Sequence, residues 1–422
     1  MATKGSTFTD HSHPSNSQQV NAMQTLSNYI TTIALSFKAE LKTVMSNKGA
    51  LLILVGAAVI YPIIYSIAYS PELLREIPVA IVDMDNTSSS RTLMKMIDAT
   101  EQINLTEHVS SLNEAEKLFA SDAVHGVVLI PEDFEKDLFN GKQTSLSSYC
   151  DASYMLMYKQ TLTGVLQSSL TFSAGVEMKR LMTKGSSTEQ ALNQIQPVKV
   201  VYKDLYNPSS AYGTFAMPAI IIFILQQTLL IGIGLMGGFQ REFGRHIHTI
   251  RGFNRMPSAI ILGKSLTYAL ITLFNGLFAL VCVHHWFQFP MNSDFISIAL
   301  LLIPFVFSTI FMGISISAMF KKAEHSIMVL VFLSLIIIFL TGFSWPISSL
   351  PEPLKYLRLI FPCNIIIQPY LRVREMGVPL MDVSKELFMI MSQMVGYFLL
   401  TLFIFKQKKR NAAKRKRMSL GL

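Results

Sequence analysis

The chain has 422 residues, half of them hydrophobic and only 15% charged, with a formal net charge of +9. That balance argues against a water-soluble globular protein. The positive excess does not point to nucleic acid either: Lys406, Lys408, Lys409, Arg410, Lys414, Arg415, Lys416 and Arg417 form one C-terminal block, with no acid among them, directly behind an apolar run. Such a block fixes orientation and touches anionic headgroups.

Residues 1–27, rich in Ser, Thr, Asn and Gln, read as a disordered leader. Over 28–48, Ile30, Ile33, Phe37, Leu41, Val44 and Met45 recur mostly at three- and four-residue steps, while Lys38, Glu40 and Lys42 fall on other faces. This predicts an amphipathic helix lying along the membrane surface, an ordinary packed helix being the alternative. Six uncharged apolar stretches are each long enough to cross a bilayer as a helix: Gly49 to Tyr69, Phe215 to Gly238, Leu266 to Val283, Phe295 to Phe320, Ser326 to Trp345 and Leu387 to Phe405. The first begins too far into the chain to be a cleavable signal peptide, so it is expected to stay as an anchor over 49–69.

Between the first and second spans lies a long insert, 70–212. Val79 to Val82 reads as a strand, Asn86 to Ser90 as a turn and helix cap, and Arg91 to Ala99 as a helix. A helix at Leu112 to Ala120, a strand at Gly126 to Ile130, a short acidic helix from Pro131 to Asn140-Gly141 and a strand at Ser145 to Tyr149 follow. A polar helix over Tyr154 to Thr183 and a strand at Val198 to Tyr202 lead back to the membrane. The alternation predicts a folded α/β domain rather than a linker. The fold class is therefore an α-helical polytopic membrane protein with six transmembrane helices in a one-plus-five arrangement and an inserted extracytoplasmic α/β domain.

The remaining spans fill 213–406, ahead of a basic tail at 407–422. Lys38, Lys42 and Lys48, then Arg241, Arg245, Arg251 and Arg255, then Lys321 and Lys322, share a side with the tail if every span crosses once. The positive-inside rule makes that side cytoplasmic, with both termini there and the insert outside. Lys355, Arg358, Arg372, Arg374 and Lys385 depart from the rule and are partly matched by Glu352, Glu375, Asp382 and Glu386. They fall in an outer segment, 344–376, that Pro346, Pro351, Pro353 and Pro362 cut into pieces too short to span, yet which is too apolar to prefer water. Paired short helices dipping into the outer leaflet are expected there, covered by protein. Gln226, Gln227, Asn275 and Gln393 are polar residues within the spans, suited either to lining a pathway or to hydrogen bonding between helices.

Familiar chemistry is missing. Gly263-Lys264-Ser265 imitates the end of a phosphate-binding loop, but Ser258 stands where that loop needs glycine, so Lys264 is read as a snorkelling residue. Asp83 and Asp85 are read as loop chemistry in preference to a cation site, and His284, His285 and Trp286 as an interfacial belt. His246 and His248 would point to different helix faces. No catalytic constellation, metal site or nucleotide site is expected. Cys150, Cys282 and Cys363 lack metal spacing, and a bridge between Cys150 and Cys363 stays open.

Two stretches carry a family resemblance. Ile77-Pro-Val-Ala-Ile-Val-Asp-Met-Asp85 with Ser88-Ser-Ser-Arg91, followed by Ala123-Val-His-Gly-Val-Val-Leu-Ile-Pro131 with Phe134, resembles the outer domain of ABC-2 type exporter permeases with a large extracytoplasmic insert. Gly342-Phe-Ser-Trp-Pro-Ile-Ser-Ser-Leu-Pro351, Phe361-Pro-Cys-Asn364 and Arg374-Glu-Met-Gly377 resemble that family's re-entrant hairpin, with Gly342, Pro346, Pro351, Pro362 and Asn364 as its marker residues. The resemblance implies two permease copies, identical or paralogous, bound to cytoplasmic ABC ATPases that hold the ATP and Mg. No cofactor is then expected in this chain. It also implies that Arg241, Glu242, Gly244 and Arg245, in a loop spanning 239–257, form the coupling element, although Phe243 and the histidines beyond depart from the commonest form. The helix bearing Phe37, Lys38, Leu41 and Lys42 resembles the family's elbow helix. In related systems a periplasmic adaptor and an outer-membrane channel complete the path, which would suit the inner membrane of a Gram-negative bacterium. A membrane sensor or scaffold with the insert as its receptor is the alternative from another class.

Overall fold

The computed structural model describes residues 16–69, 74–201, 203, 205–207, 211–243, 256–343 and 345–419, with side chains described from 24 to 411. Two compact units result, one of Met1–Ser70 with Leu205–Leu422 and one of Pro71–Asp204. The first helix, α1 (Asn16–Ser46), begins well before residue 28, so the part of the expected leader that is described is helical. Asn47 breaks it and caps the next helix by accepting the Ala50 N–H at 2.9 Å. That helix, α2 (Lys48–Ala68), contains a π turn at Leu52–Ala57 and Pro62 further on.

In the inserted unit β1 (Ile77–Asp83) leads into α3 (Ser88–Asp98), and β2 (Ile103–Val109) into α4 (Leu112–Ala120). Next come β3 (Gly126–Ile130), α5 (Phe134–Phe139), β4 (Ser147–Cys150), α6 (Met155–Thr183) and α7 (Thr188–Ile195). The sheet order is β2-β1-β3-β4, with β1 parallel to β2 and β3, and β4 antiparallel to β3. A strand buried on both faces is apolar at successive positions, and β1 shows this. Its Val79 and Ile81 face a core with Leu93 and Ile97 of α3 and Val165 and Phe172 of α6, while Ala80 and Val82 face Ala115 of α4. Thr87 caps α3 in a reciprocal box with Ser90.

The insert differs from the sequence reading at two places. The strand β2 was not foreseen, because only Ile103 and Val109 at its ends are buried and the solvent-facing middle is polar. Conversely Val198 to Val201 is no strand: β-branched residues raise strand propensity, but Val198, Val200 and Val201 are exposed and have no pairing partner among the described residues, and Tyr202 lies outside them.

The membrane unit continues with α8 (Tyr212–Glu242), α9 (Pro257–Trp286, ending in a π turn and a last α turn), α10 (Phe295–Ser317) and α11 (Ala323–Leu340). Two short helices, α12 (Glu352–Leu357) and α13 (Pro362–Met376), precede α14 (Ser384–Ser419). Among the described residues six helices are long and apolar enough to cross a membrane, α2, α8, α9, α10, α11 and the 380–411 stretch that takes in most of α14. The segment 345–376 holds a single turn at Ile347–Ser349 followed by α12 and α13, each shorter than a span, and Ser344 lies outside the described residues.

The helix α8 is the post of the bundle: 83% of its apolar window is buried within the unit, against 50% or less for every other span. It packs on α2, α10, α11 and α13. Without water as a driving force, helices in lipid gain from close backbone approach, which small residues permit. Gly238 is such a contact, since a Cβ there would stand 2.6 Å from the Lys322 backbone.

Candidate functional site

Three polar regions stand out in the membrane unit. The first joins α1, α8 and α9 at the end of the bundle rich in lysine. Glu40 was expected on the polar face of an amphipathic helix, but it is 1% exposed, and the stripe of α1 that buries most completely is Ser36, Glu40 and Val44. The carboxylate accepts the Tyr268 hydroxyl at 2.7 Å and the Gln240 amide at 2.9 Å, with the Lys264 ammonium 3.2 Å away. Lys264 also donates to Gln240 Oε1 at 2.9 Å. A buried charge needs a counter-charge and hydrogen bonds, and here it has both. Lys264 is thus paired rather than snorkelling. Gly263 lets the helices meet, because a Cβ there would lie 2.5 Å from the Ile33 carbonyl oxygen. Of the elbow residues, Phe37 and Leu41 are half-buried, while Lys38 and Lys42 are exposed.

At the same end Arg241 is half-buried and donates to the Phe320 carbonyl, while Lys408 of α14 donates to the Ala318 carbonyl at 2.6 Å. The end of α8 is thereby tied to the turn between α10 and α11. Glu242 and Phe243 are exposed beyond it, and Phe243 packs on Phe239 with ring centroids 4.8 Å apart. Gly244 and Arg245 lie outside the described residues, as does most of the expected coupling loop and its two histidines.

The second region is the four amides expected inside the spans, Gln226, Gln227, Asn275 and Gln393, each of which bonds to a neighbouring segment. Gln226 accepts the Cys363 N–H at 2.8 Å and donates to its sulfur at 3.0 Å. Gln227 donates to the Leu330 carbonyl at 2.8 Å, and Asn275 to the Leu54 carbonyl, inside the π turn of α2, at 2.6 Å. Gln393 donates to the Leu359 and Ile360 carbonyls, each at 2.9 Å, and accepts Ser308. These four amides therefore join α8 to α13 and α11, α9 to α2, and α14 to the stretch ahead of α13. Among the hairpin markers, Pro362 and Asn364 are buried, Gly342 turns the chain at φ 79°, and Pro346 and Pro351 are exposed.

The third region is at the other end of the bundle. Arg374 and Tyr370 of α13 are fully buried, beside Glu375, and His284 at the end of α9 is 5% exposed rather than lying in an interfacial belt. Burial pushes the Glu375 carboxyl up to about 7, against the opposing pull of Arg374.

In the inserted unit Asp83 and Asp85 shape a turn. Asp83 accepts the backbone N–H of Asp85 and Asn86 and the Ser90 hydroxyl at 2.7 Å, and Asp85 accepts the Glu135 N–H at 3.0 Å. Glu135 sits at the start of α3, where Ser89 and then Ser88 hold its carboxyl below the usual range. Among the described residues no group of three or more His, Cys, Asp or Glu is arranged to hold a metal ion. Cys150 and Cys363 are free thiols, the latter buried under Gln226.

Sequence reasoning missed Glu40, Tyr268 and Gln240 as one unit. The trace of it was an acid at a four-residue step from Ser36 and from Val44, with Lys264 and Tyr268 one turn apart in α9. A family model described as ABC-2 family transporter protein matches residues 48–403, which takes in the insert, the first five long apolar helices and most of the sixth. No curated protein matches the chain.

Proposed function

Starting from the fact that the chain belongs to the ABC-2 family of transporter proteins and is the membrane permease component of such a transporter, we propose that it serves an ATP-driven exporter. In this reading it forms the membrane pathway with a second permease copy and draws energy from a separate cytoplasmic ATPase that holds ATP and Mg. The carrying observation is the match over 48–403. The form of α8 supports the coupling role. The most enclosed helix of the bundle runs out to an exposed Glu242 and Phe243, and Arg241 just before them is pinned to the Phe320 carbonyl. A force applied at that exposed end would act on the core of the bundle rather than on a peripheral helix. On this reading the lysine-rich end faces the cytoplasm of a bacterial cell, both termini included, and the α/β unit lies outside, where an adaptor leading to an outer-membrane channel would meet it.

The test is charge reversal, Glu242→Arg with Arg245→Glu, in tagged full-length protein taken from native membranes. Wild type should carry with it an ABC ATPase whose hydrolysis is sensitive to vanadate. The double variant should insert normally and lose that activity. If no ATPase accompanies wild type, the sensor or scaffold reading gains, and if the variant retains wild-type activity the coupling assignment fails.

A further inference from the structure

Arg374 is 1% exposed, yet its Nε, Nη1 and Nη2 have no hydrogen-bond partner among the described residues. The carboxylate nearest to it is that of the adjacent Glu375, with Oε1 3.7 Å from Nη1, beyond hydrogen-bond reach and itself unpartnered. Tyr370, one turn earlier on the same helix face, is fully buried with a free hydroxyl. His284, on α9, is 5% exposed with both ring nitrogens free. Both lie within electrostatic reach of Arg374. The backbone around the cluster, by contrast, is well satisfied. The Asn292 N–H donates to the Arg374 carbonyl at 2.8 Å and its side-chain amide to the Glu375 carbonyl at 2.6 Å. Gly377, at φ 66°, admits the Asn292 carbonyl to a place where a Cβ would meet it at 2.8 Å.

Buried polar groups in folded proteins find partners, and a buried guanidinium left alone costs several kcal/mol. What this cluster lacks is specific. The guanidinium N–H groups and the Tyr370 O–H lack acceptors, both His284 nitrogens are unpartnered, and the one carboxylate beside Arg374 stands 3.7 Å away, so donors outnumber acceptors. We infer that Arg374, Tyr370 and His284 form a binding site for one oxyanion, a phosphate or carboxylate group, seated in the guanidinium fork with the tyrosine hydroxyl and an imidazole N–H as further donors. The planar fork matches the two oxygens of such a group, which a point cation does not. The shift of Glu375 toward neutrality agrees with this, since a carboxyl protonated near neutral pH leaves the cluster with net positive charge. The site stands apart from the Glu40 network, whose charges satisfy one another, and from the end of α8. The anion has two sources that share this chemistry, a lipid headgroup and a soluble oxyanion.

The test uses full-length protein purified in detergent at constant chloride and follows its thermal midpoint while inorganic phosphate, or separately dihexanoyl phosphatidic acid, is added. A saturable rise is expected with at least one probe. A response to phosphate alone marks a soluble oxyanion, and a response confined to the lipid marks a headgroup. Arg374→Gln should abolish the rise. Tyr370→Phe keeps the packed ring and removes only the hydroxyl, and it should weaken apparent affinity about tenfold, the loss of one hydrogen bond to a charged group. No saturable rise with either probe, or an equal rise in Arg374→Gln, would mean that water alone satisfies the guanidinium and would overturn the site. Should Arg374→Gln fail to fold, unchanged affinity in Tyr370→Phe overturns it equally.

Discussion

The network that ties α1 to the bundle makes a quantitative prediction. Glu40 is 1% exposed, accepts Tyr268 at 2.7 Å and Gln240 at 2.9 Å, and lies 3.2 Å from the ammonium of Lys264, whose side chain is 13% exposed. Glu40→Ala strands that ammonium in a poorly hydrated place and leaves the tyrosine hydroxyl without its acceptor. Removing one member of a buried pair costs about 3–5 kcal/mol, because the survivor keeps its desolvation penalty. At about 2 °C per kcal/mol for a body of this size, the thermal midpoint in detergent should fall by about 6–10 °C. Lys264→Met should cost less, about 3 kcal/mol, because Tyr268 and Gln240 still serve the carboxylate. With both changes no charge is left stranded, so the double variant should sit at least about 4 °C above the sum of the single losses, a coupling of about 2 kcal/mol. Midpoints of the four proteins in one detergent complete the cycle. Single losses that add to within about 1 °C would refute the claim that the two charges depend on each other.

Two further outcomes follow from particular contacts. Gly263→Ala would put a methyl 2.5 Å from the Ile33 carbonyl oxygen and 3.0 Å from the Phe37 nitrogen, both backbone atoms that cannot rotate away, so α1 must shift, at a cost of about 1–3 kcal/mol. Gly276→Ala on the same helix meets nothing within 4 Å and should be neutral or stabilising; equal midpoints for the two variants would contradict the close contact. Glu375 has its folded-state value raised from 4.5 to about 7, in a site shared with Arg374, Tyr370 and His284. The folded carboxyl then holds its proton more tightly than the unfolded one, so its contribution to stability is complete below pH 4.5 and is lost as pH rises to about 7, a change of about 3 kcal/mol. Glu375→Gln removes that dependence, so the variant should gain on wild type between pH 5 and pH 8, and a constant gap across that range would count against the assignment.

Much of this architecture was legible in the sequence because the membrane simplifies the reading. An uncharged run such as Phe295 to Phe320 has few alternatives to a spanning helix, and the prolines of 346–362 limit that segment to short pieces. The insert was legible where burial is two-sided, as in β1, and illegible where it is not. The polar middle of β2 carries no alternation, and the β-branched run at Val198 to Val201 signals a strand that no neighbour pairs with. The helix α7 was readable in principle, since Ser187 and Gln190 form a capping box. Glu40 and Arg374 were not readable. A charged residue in a helix is assigned to water by default, and only the tertiary structure reveals Lys264 and Tyr268 facing the one, or brings Tyr370 and His284 to the other.

The enclosure of α8 also bears on how the chain is made. Ribosomes deliver α8 before the segments that answer its amides: the Gln226 partner Cys363 lies 137 residues later and the Gln227 partner Leu330 lies 103 residues later. At about 5–20 residues per second, Gln226 waits roughly 7–27 s for its partner. During that interval the helix that ends as the least lipid-exposed of the six must sit either in lipid with two amides unanswered or against the translocation machinery. Assembly of this protein is therefore paced from its C-terminal half, and a ribosome paused before Cys363 would hold back the helix on which the rest of the bundle is built.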